Sequence, residues 1–88
     1  MTTLGVATEV VLGQDLHARP AAAVAAHAAA FPGTVLLRPA SAPELNAASV
    51  LTLMAADLRA GTSVTVSARG VGAADIVTAI VAELAATA

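Results

Sequence analysis

Pro20 constrains this chain more than any other residue. It stands ahead of Ala21-Ala22-Ala23-Val24-Ala25-Ala26-His27-Ala28-Ala29-Ala30, a run dominated by the strongest helix former. Proline is tolerated in a helix only in the first turn, where its missing N–H would be unpaired anyway. The helix therefore starts near Ala18 and runs to about residue 30, where Pro32-Gly33 stops it. Val24, Ala28 and Phe31, at i, i+4 and i+7, form its expected buried stripe. His17 then falls at or beside the N-cap, and Arg19 in the first turn. A helix N-terminus presents unpaired N–H groups and the positive end of the backbone dipole, which together favour an anion, above all a phosphate.

The remaining elements follow from periodicity. Leu4, Val6, Thr8 and Val10 share one face of a strand at about 4–11, with Glu9 on the other face, and Gly13-Gln14-Asp15 turns the chain into the histidine loop. A short strand is expected over 34–38. Pro39 to Pro43 reads as irregular, with room for a short edge strand at 44–46. Ser49 is a good N-cap for a helix over about 50–56, Leu58 turns inward and Gly61 bends the chain. Ser63 to Ala68 alternates cleanly, with Val64, Val66 and Ala68 inward. A last helix spans about 73–86, with Ile76, Val77, Ile80 and Leu84 on one face. The order βαβ(β)αβα suits one sheet covered on one face by helices.

Eighty-eight residues make one domain, 1–88, with a modest core. The net charge is −2, all four basic residues are arginine, and Phe31 is the sole aromatic, so nucleic-acid binding by phosphate contacts and base stacking is not expected. The apolar fraction of 58% is largely alanine. Its longest uncharged run, residues 20–37, is broken by Pro32-Gly33, so no stable membrane insertion is expected. No signal peptide is visible, and the absence of cysteine fits a reducing compartment, so the expected location is cytoplasmic. His27 lies ten residues from His17, too far along the helix to share a metal with it. With two histidines and no cysteine, neither a metal site nor a cofactor is expected.

The chemistry concentrates on His17. An unprotonated imidazole is a nucleophile that can take up a phosphoryl group, and the helix end and the Arg19 guanidinium favour the dianion that results. Each charge-assisted bond contributes about 1.5–3 kcal/mol. A rival reading makes His17 a general base with Asp15, but no second convincing acid–base partner is present and the chain is small for a deep pocket. A third reading is an interaction module that keeps the fold without being phosphorylated.

Leu16-His17-Ala18-Arg19-Pro20-Ala21 resembles the phosphorylation motif of HPr, the histidine-containing phosphocarrier of the bacterial phosphoenolpyruvate-dependent sugar phosphotransferase system. Asn46-Ala47-Ala48-Ser49 lies where that family keeps a second, regulatory serine motif, and residues 61–70 resemble its last strand. The resemblance covers nearly the whole chain. It implies an α+β open-faced sandwich: a four-stranded antiparallel sheet of order 1-4-2-3 with three helices on one face. It further implies that enzyme I passes phosphate from phosphoenolpyruvate to His17, and that the carrier, a monomer, passes it to enzyme IIA domains. Leu16, Ala18, Val50, Leu51 and Met54 would form the docking patch and Ser49 a regulatory site. The alternative is a paralogous regulatory or interaction module outside sugar uptake. Three departures from the family stand out: Asp15 and Asp57 occupy positions where glycine is usual, and lysines around the site are replaced by Ala26, Ala29, Ala48 and Thr52.

Overall fold

A computed structural model describes residues 5–40 and 42–87. Its elements, in chain order, are β1 (Gly5–Val11), α1 (Ala18–Ala30), β2 (Thr34–Pro39), β3 (Leu45–Asn46), α2 (Val50–Ala55), β4 (Ser63–Arg69) and α3 (Ala73–Ala85). The four strands form one antiparallel sheet of order β1-β4-β2-β3. With three helices this is the open-faced α+β sandwich that the resemblance implies. Leu4, placed on the inner face of β1 by its spacing, lies outside the described residues.

Pairing sets the core. Three rows cross the inner face: Val10–Val64–Pro39, Thr8–Val66–Leu37 and Val6–Ala68–Val35. Val64, Val66 and Leu37 are wholly buried. Thr8 is exposed because β1 is an edge strand and the helices do not cover it there. From the helices, Val24 and Ala28 of α1, Leu53 of α2 and Val77, Ile80 and Leu84 of α3 close over the rows, while Ile76 is half-buried at the margin. The opposite face of the sheet carries polar rows such as Glu9–Thr65–Arg38 and is left without helices.

Pro39 belongs to β2, one residue beyond the strand expected from sequence. The Ala40 N–H donates to the Ser63 carbonyl, so the nitrogen of the preceding residue faces away from β4. On that side β3 pairs only with Leu36 and Leu37, and the missing N–H of Pro39 costs no ladder bond.

Phe31 ends α1 as its C-cap, its N–H donating to the Ala28 carbonyl. It is half-buried. Its ring lies over the Gly70–Gly72 junction, where a Cβ on Gly72 would sit 3.7 Å away. Gly72 is the N-cap of α3 at φ 86°, a left-handed conformation in which a side chain would be strained.

Candidate functional site

The loop between β1 and α1 is pinned from both ends of the fold. The Leu12 N–H donates to the Thr62 carbonyl at 2.9 Å, and the Leu12 carbonyl accepts from the Gly61 N–H at 2.8 Å. The Gly13 N–H donates to the Leu84 carbonyl, and Gln14 Nε2 donates to the Ala86 carbonyl at 3.1 Å, which ties the loop to the end of α3. The Gln14 Oε1 atom is buried without a partner among the described residues.

Gly13 owes its identity to this close approach. A Cβ there would run into the carbonyl oxygen of Ala85 and come within 2.8 Å of that of Ala86. Gly13→Ala must push the end of α3 aside or shift the loop. Overpacking of this kind costs about 1–3 kcal/mol. In a domain of this size the expected result is a melting temperature lower by about 4–20 °C, read by thermal denaturation. An unchanged melting temperature would mean that α3 does not hold the loop.

Asp15 turns its carboxylate to the loop that follows α2: Oδ1 accepts from the Ala60 N–H at 2.8 Å. Next to it, the Leu16 N–H donates to the Leu58 carbonyl at 2.8 Å, and both leucine side chains are buried. The chain then emerges at His17, which is exposed and is the N-cap of α1 with extended backbone (φ −83°, ψ −169°). Its carbonyl accepts from the Ala21 N–H, closing the first turn. Its imidazole makes no capping bond, so the ring is not committed to the helix. Helix geometry leaves the Ala18 and Arg19 N–H groups without intrahelical partners, and Pro20, third in the helix and buried, has none to satisfy.

Around the imidazole lies an open recess of about 390 Å³, lined by residues of both loops together with Ala18 of α1 and Met54 of α2. The structure thus brings together His17, Leu16, Ala18 and Met54. Arg19 is exposed and forms no ion pair among the described residues; it does not line this recess but a separate one, with Gln14, Pro20, Ala23, Glu83 and Thr87. Leu51 stands one turn before Met54 on α2 and is 81% exposed, against 43% for Met54. Val50 is half-buried and packs on the core, so only part of it faces outward. Ser49 caps α2, its Oγ accepting from the Thr52 N–H at 3.2 Å while its hydroxyl donates to Thr52 Oγ1 at 2.8 Å.

Two residues of the recess carry charge that the sequence argument did not place there. Asp57 ends α2 at φ 52°, the one described non-glycine residue with positive φ, and its carboxylate holds both Nε and Nη2 of Arg59. That bond, and then the charges of Asp57 and Asp15, raise the Arg59 guanidinium above its ordinary range, so it is cationic throughout. The family's habit of glycine at position 57 was the available signal: it marks a left-handed residue, which aspartate tolerates better than most. His27 stands apart, half-buried on α1 with Nε2 3.5 Å from Glu83 Oε2 on α3.

A small open-faced sandwich that presents one histidine at a helix N-terminus is a recognisable class of structure. The model of the PTS HPr component phosphorylation site matches residues 6–86, and the chain belongs to the HPr family, the phosphocarrier component of the phosphotransferase system. Its fold is similar to that of the histidine-containing phosphocarrier protein of Mycoplasma, with 26% identity over 89% of this chain and 90% of that one and a TM-score of 0.80. It also matches the fold of phosphocarrier protein HPr from Bacillus anthracis str. Ames, with 24% identity, coverage of 91% and 96%, and a TM-score of 0.82. Crh, the catabolite repression protein of Bacillus subtilis, is 32% identical over 91% of this chain and 94% of its own, with a TM-score of 0.65; its structure is a dimer with a swapped domain. No curated protein matches the chain in sequence. No described helix is long and apolar enough to cross a membrane.

Proposed function

We propose that His17 accepts a phosphoryl group from enzyme I, ultimately from phosphoenolpyruvate, and passes it to enzyme IIA domains, the chain acting as a cytoplasmic, monomeric, single-domain carrier. The observation that carries this reading is the uncommitted imidazole: His17 occupies the cap position of α1, yet its ring makes no capping bond and stands exposed over the recess. The unpaired N–H groups of the first turn supply donors for the phosphoryl oxygens, and the helix dipole contributes about 0.3–2 kcal/mol in the same sense. These terms favour the phosphorylated state without making it inert. Ala18, Leu51 and Met54, with the outward part of Val50, are the surface on which partners dock; Leu16, expected there from the resemblance, is buried and supports that surface from beneath. Incubation with phosphoenolpyruvate and enzyme I, read by intact mass, tests the reading: one added phosphoryl group that acid removes is expected, and no gain would overturn it.

Arg19 is the second part of this site. It is exposed and without an ion pair among the described residues, so its guanidinium is at liberty to reach a phosphoryl group at the helix end. Arg19→Lys keeps the charge and loses the bidentate geometry, and Arg19→Ala loses both. Rapid-quench transfer is expected to slow about tenfold or more for Ala and less for Lys, with melting near wild type. Transfer by Arg19→Ala at the wild-type rate would remove Arg19 from the site.

Ser49 supplies regulation. A phosphate or Ser49→Asp there adds negative charge at the head of α2, beside the docking residues, and is expected to slow phosphorylation of His17 by about tenfold. Equal rates would leave Ser49 a helix cap alone. The 32% identity to Crh favours a second reading, a regulatory module outside sugar uptake. Binding of partners without phosphoryl uptake is the result that reading requires.

A further inference from the structure

Two of the hydrogen bonds that lace the loops meeting at His17 flank Arg59. Leu16 N–H donates to the Leu58 carbonyl and Ala60 N–H donates to Asp15 Oδ1, both at 2.8 Å. The residue between Leu58 and Ala60 is thereby held against the segment that ends in His17, and it lines the same recess as the imidazole. Its guanidinium is gripped by Asp57, with Nε 3.1 Å from Oδ1 and Nη2 3.2 Å from Oδ2.

The charge around His17 is therefore unusual for an anion site. Asp15 and Asp57 bring two carboxylates to the recess, and Arg59 brings its one guanidinium. A phosphoryl group on His17 adds about two more negative charges. Both carboxylates repel it, and Arg59 is the lining group that attracts it. The Asp57–Arg59 pair is largely exposed at both ends, and such pairs are weak. A dianion with three oxygens is a stronger partner for a guanidinium than one solvated carboxylate.

We propose that Arg59 binds the phosphoryl group carried by His17 and does so by exchanging Asp57 for the phosphoryl oxygens, so that Asp57 parks the guanidinium at the site between transfers. The inference rests on the carrier reading of His17. It gives the two acidic departures from the family a joint role. Asp15 fastens the loop that carries Arg59, and Asp57 holds the guanidinium ready while opposing long residence of the phosphoryl group.

The test needs no partner protein. Phosphoramidate phosphorylates histidine directly: the imidazole nitrogen forms a bond to phosphorus, the bond from phosphorus to ammonia breaks, and ammonia leaves with the proton. The phosphorylated protein is then titrated by 31P NMR, which reads the midpoint between the phosphoryl monoanion and dianion. A nearby cation favours the dianion and lowers that midpoint. Arg59→Gln is expected to raise it by about 0.5–1 unit, and Arg59→Lys to restore part of the shift. Asp57→Asn, which keeps a residue tolerant of positive φ, is expected to lower the midpoint by freeing the guanidinium, and to lose most of that effect in the double variant with Arg59→Gln. Circular dichroism verifies that each variant is folded. A midpoint in Arg59→Gln equal to wild type, with His17 phosphorylated in both, overturns this inference and leaves the carrier reading standing. A wild-type protein that takes no phosphoryl group on His17 overturns both.

Discussion

His17→Ala is expected to take up no phosphoryl group from phosphoenolpyruvate and enzyme I, while melting close to the wild-type temperature. The first half follows from chemistry: alanine has no nucleophile, and the other histidine of the chain, His27, sits well along α1 beside Glu83, away from the recess. The second half follows from the cap. Losing a side-chain N-cap costs about 0.5–2 kcal/mol. The imidazole of His17 makes no capping bond, so its removal belongs at the low end of that range, a fall of a few degrees. The position therefore contributes to the phosphoryl site far more than to the fold. Intact mass and thermal melting of the same sample check both halves, and retained uptake of an acid-labile phosphate by His17→Ala would remove His17 as the acceptor.

Leu51→Glu has the next largest expected effect. At 81% exposure Leu51 contributes little to the core, and a surface change of this kind shifts stability by no more than about 0.5 kcal/mol. On a docked partner the same change places an unpaired carboxylate where apolar contact is needed. Truncation or charge at the centre of an interface commonly costs about 2 kcal/mol or more, some 30-fold. We expect kcat/KM for phosphorylation by enzyme I to fall by about that factor, with most of the loss in KM. Met54→Glu is expected to slow transfer in the same way, since Met54 lines the recess itself and a third carboxylate would join Asp15 and Asp57 beside the phosphoryl group. Unchanged transfer by folded Leu51→Glu would place the docking surface elsewhere.

The elements were legible where a residue forces a backbone state. Pro20 places the start of α1, Ser49 that of α2, and the alternation through Val64, Val66 and Ala68 identifies β4, because each rests on local sterics or on period-two burial. Periodicity carried no information on strand order: the 1-4-2-3 arrangement came from the resemblance to HPr, and the pairing of β4 between β1 and β2 agrees with it. Pro39 reads in sequence as the start of an irregular segment that runs to Pro43; in the structure it ends β2, because the shortness of β3 leaves its missing N–H without a ladder bond to make. Within the site, the helix end was legible because Leu16 to Ala21 are contiguous. Arg59 was not. It lies 42 residues from His17 in the chain, and the Leu16–Leu58 and Asp15–Ala60 hydrogen bonds on either side of it hold it at the recess. The same bonds change the meaning of Asp15, which reads in sequence as a departure from the family's usual glycine and in the structure fastens a loop.

The central claim is that the phosphoryl group resides on a ring nitrogen of His17, and locating it is the most direct test. The protein is phosphorylated by enzyme I and phosphoenolpyruvate, kept alkaline, digested and mapped by mass spectrometry. The account predicts one phosphate, stable in base and lost in acid, that fragment ions place on His17 and not on His27. A phosphate on His27 or on a hydroxyl, or no phosphate at all, would contradict it.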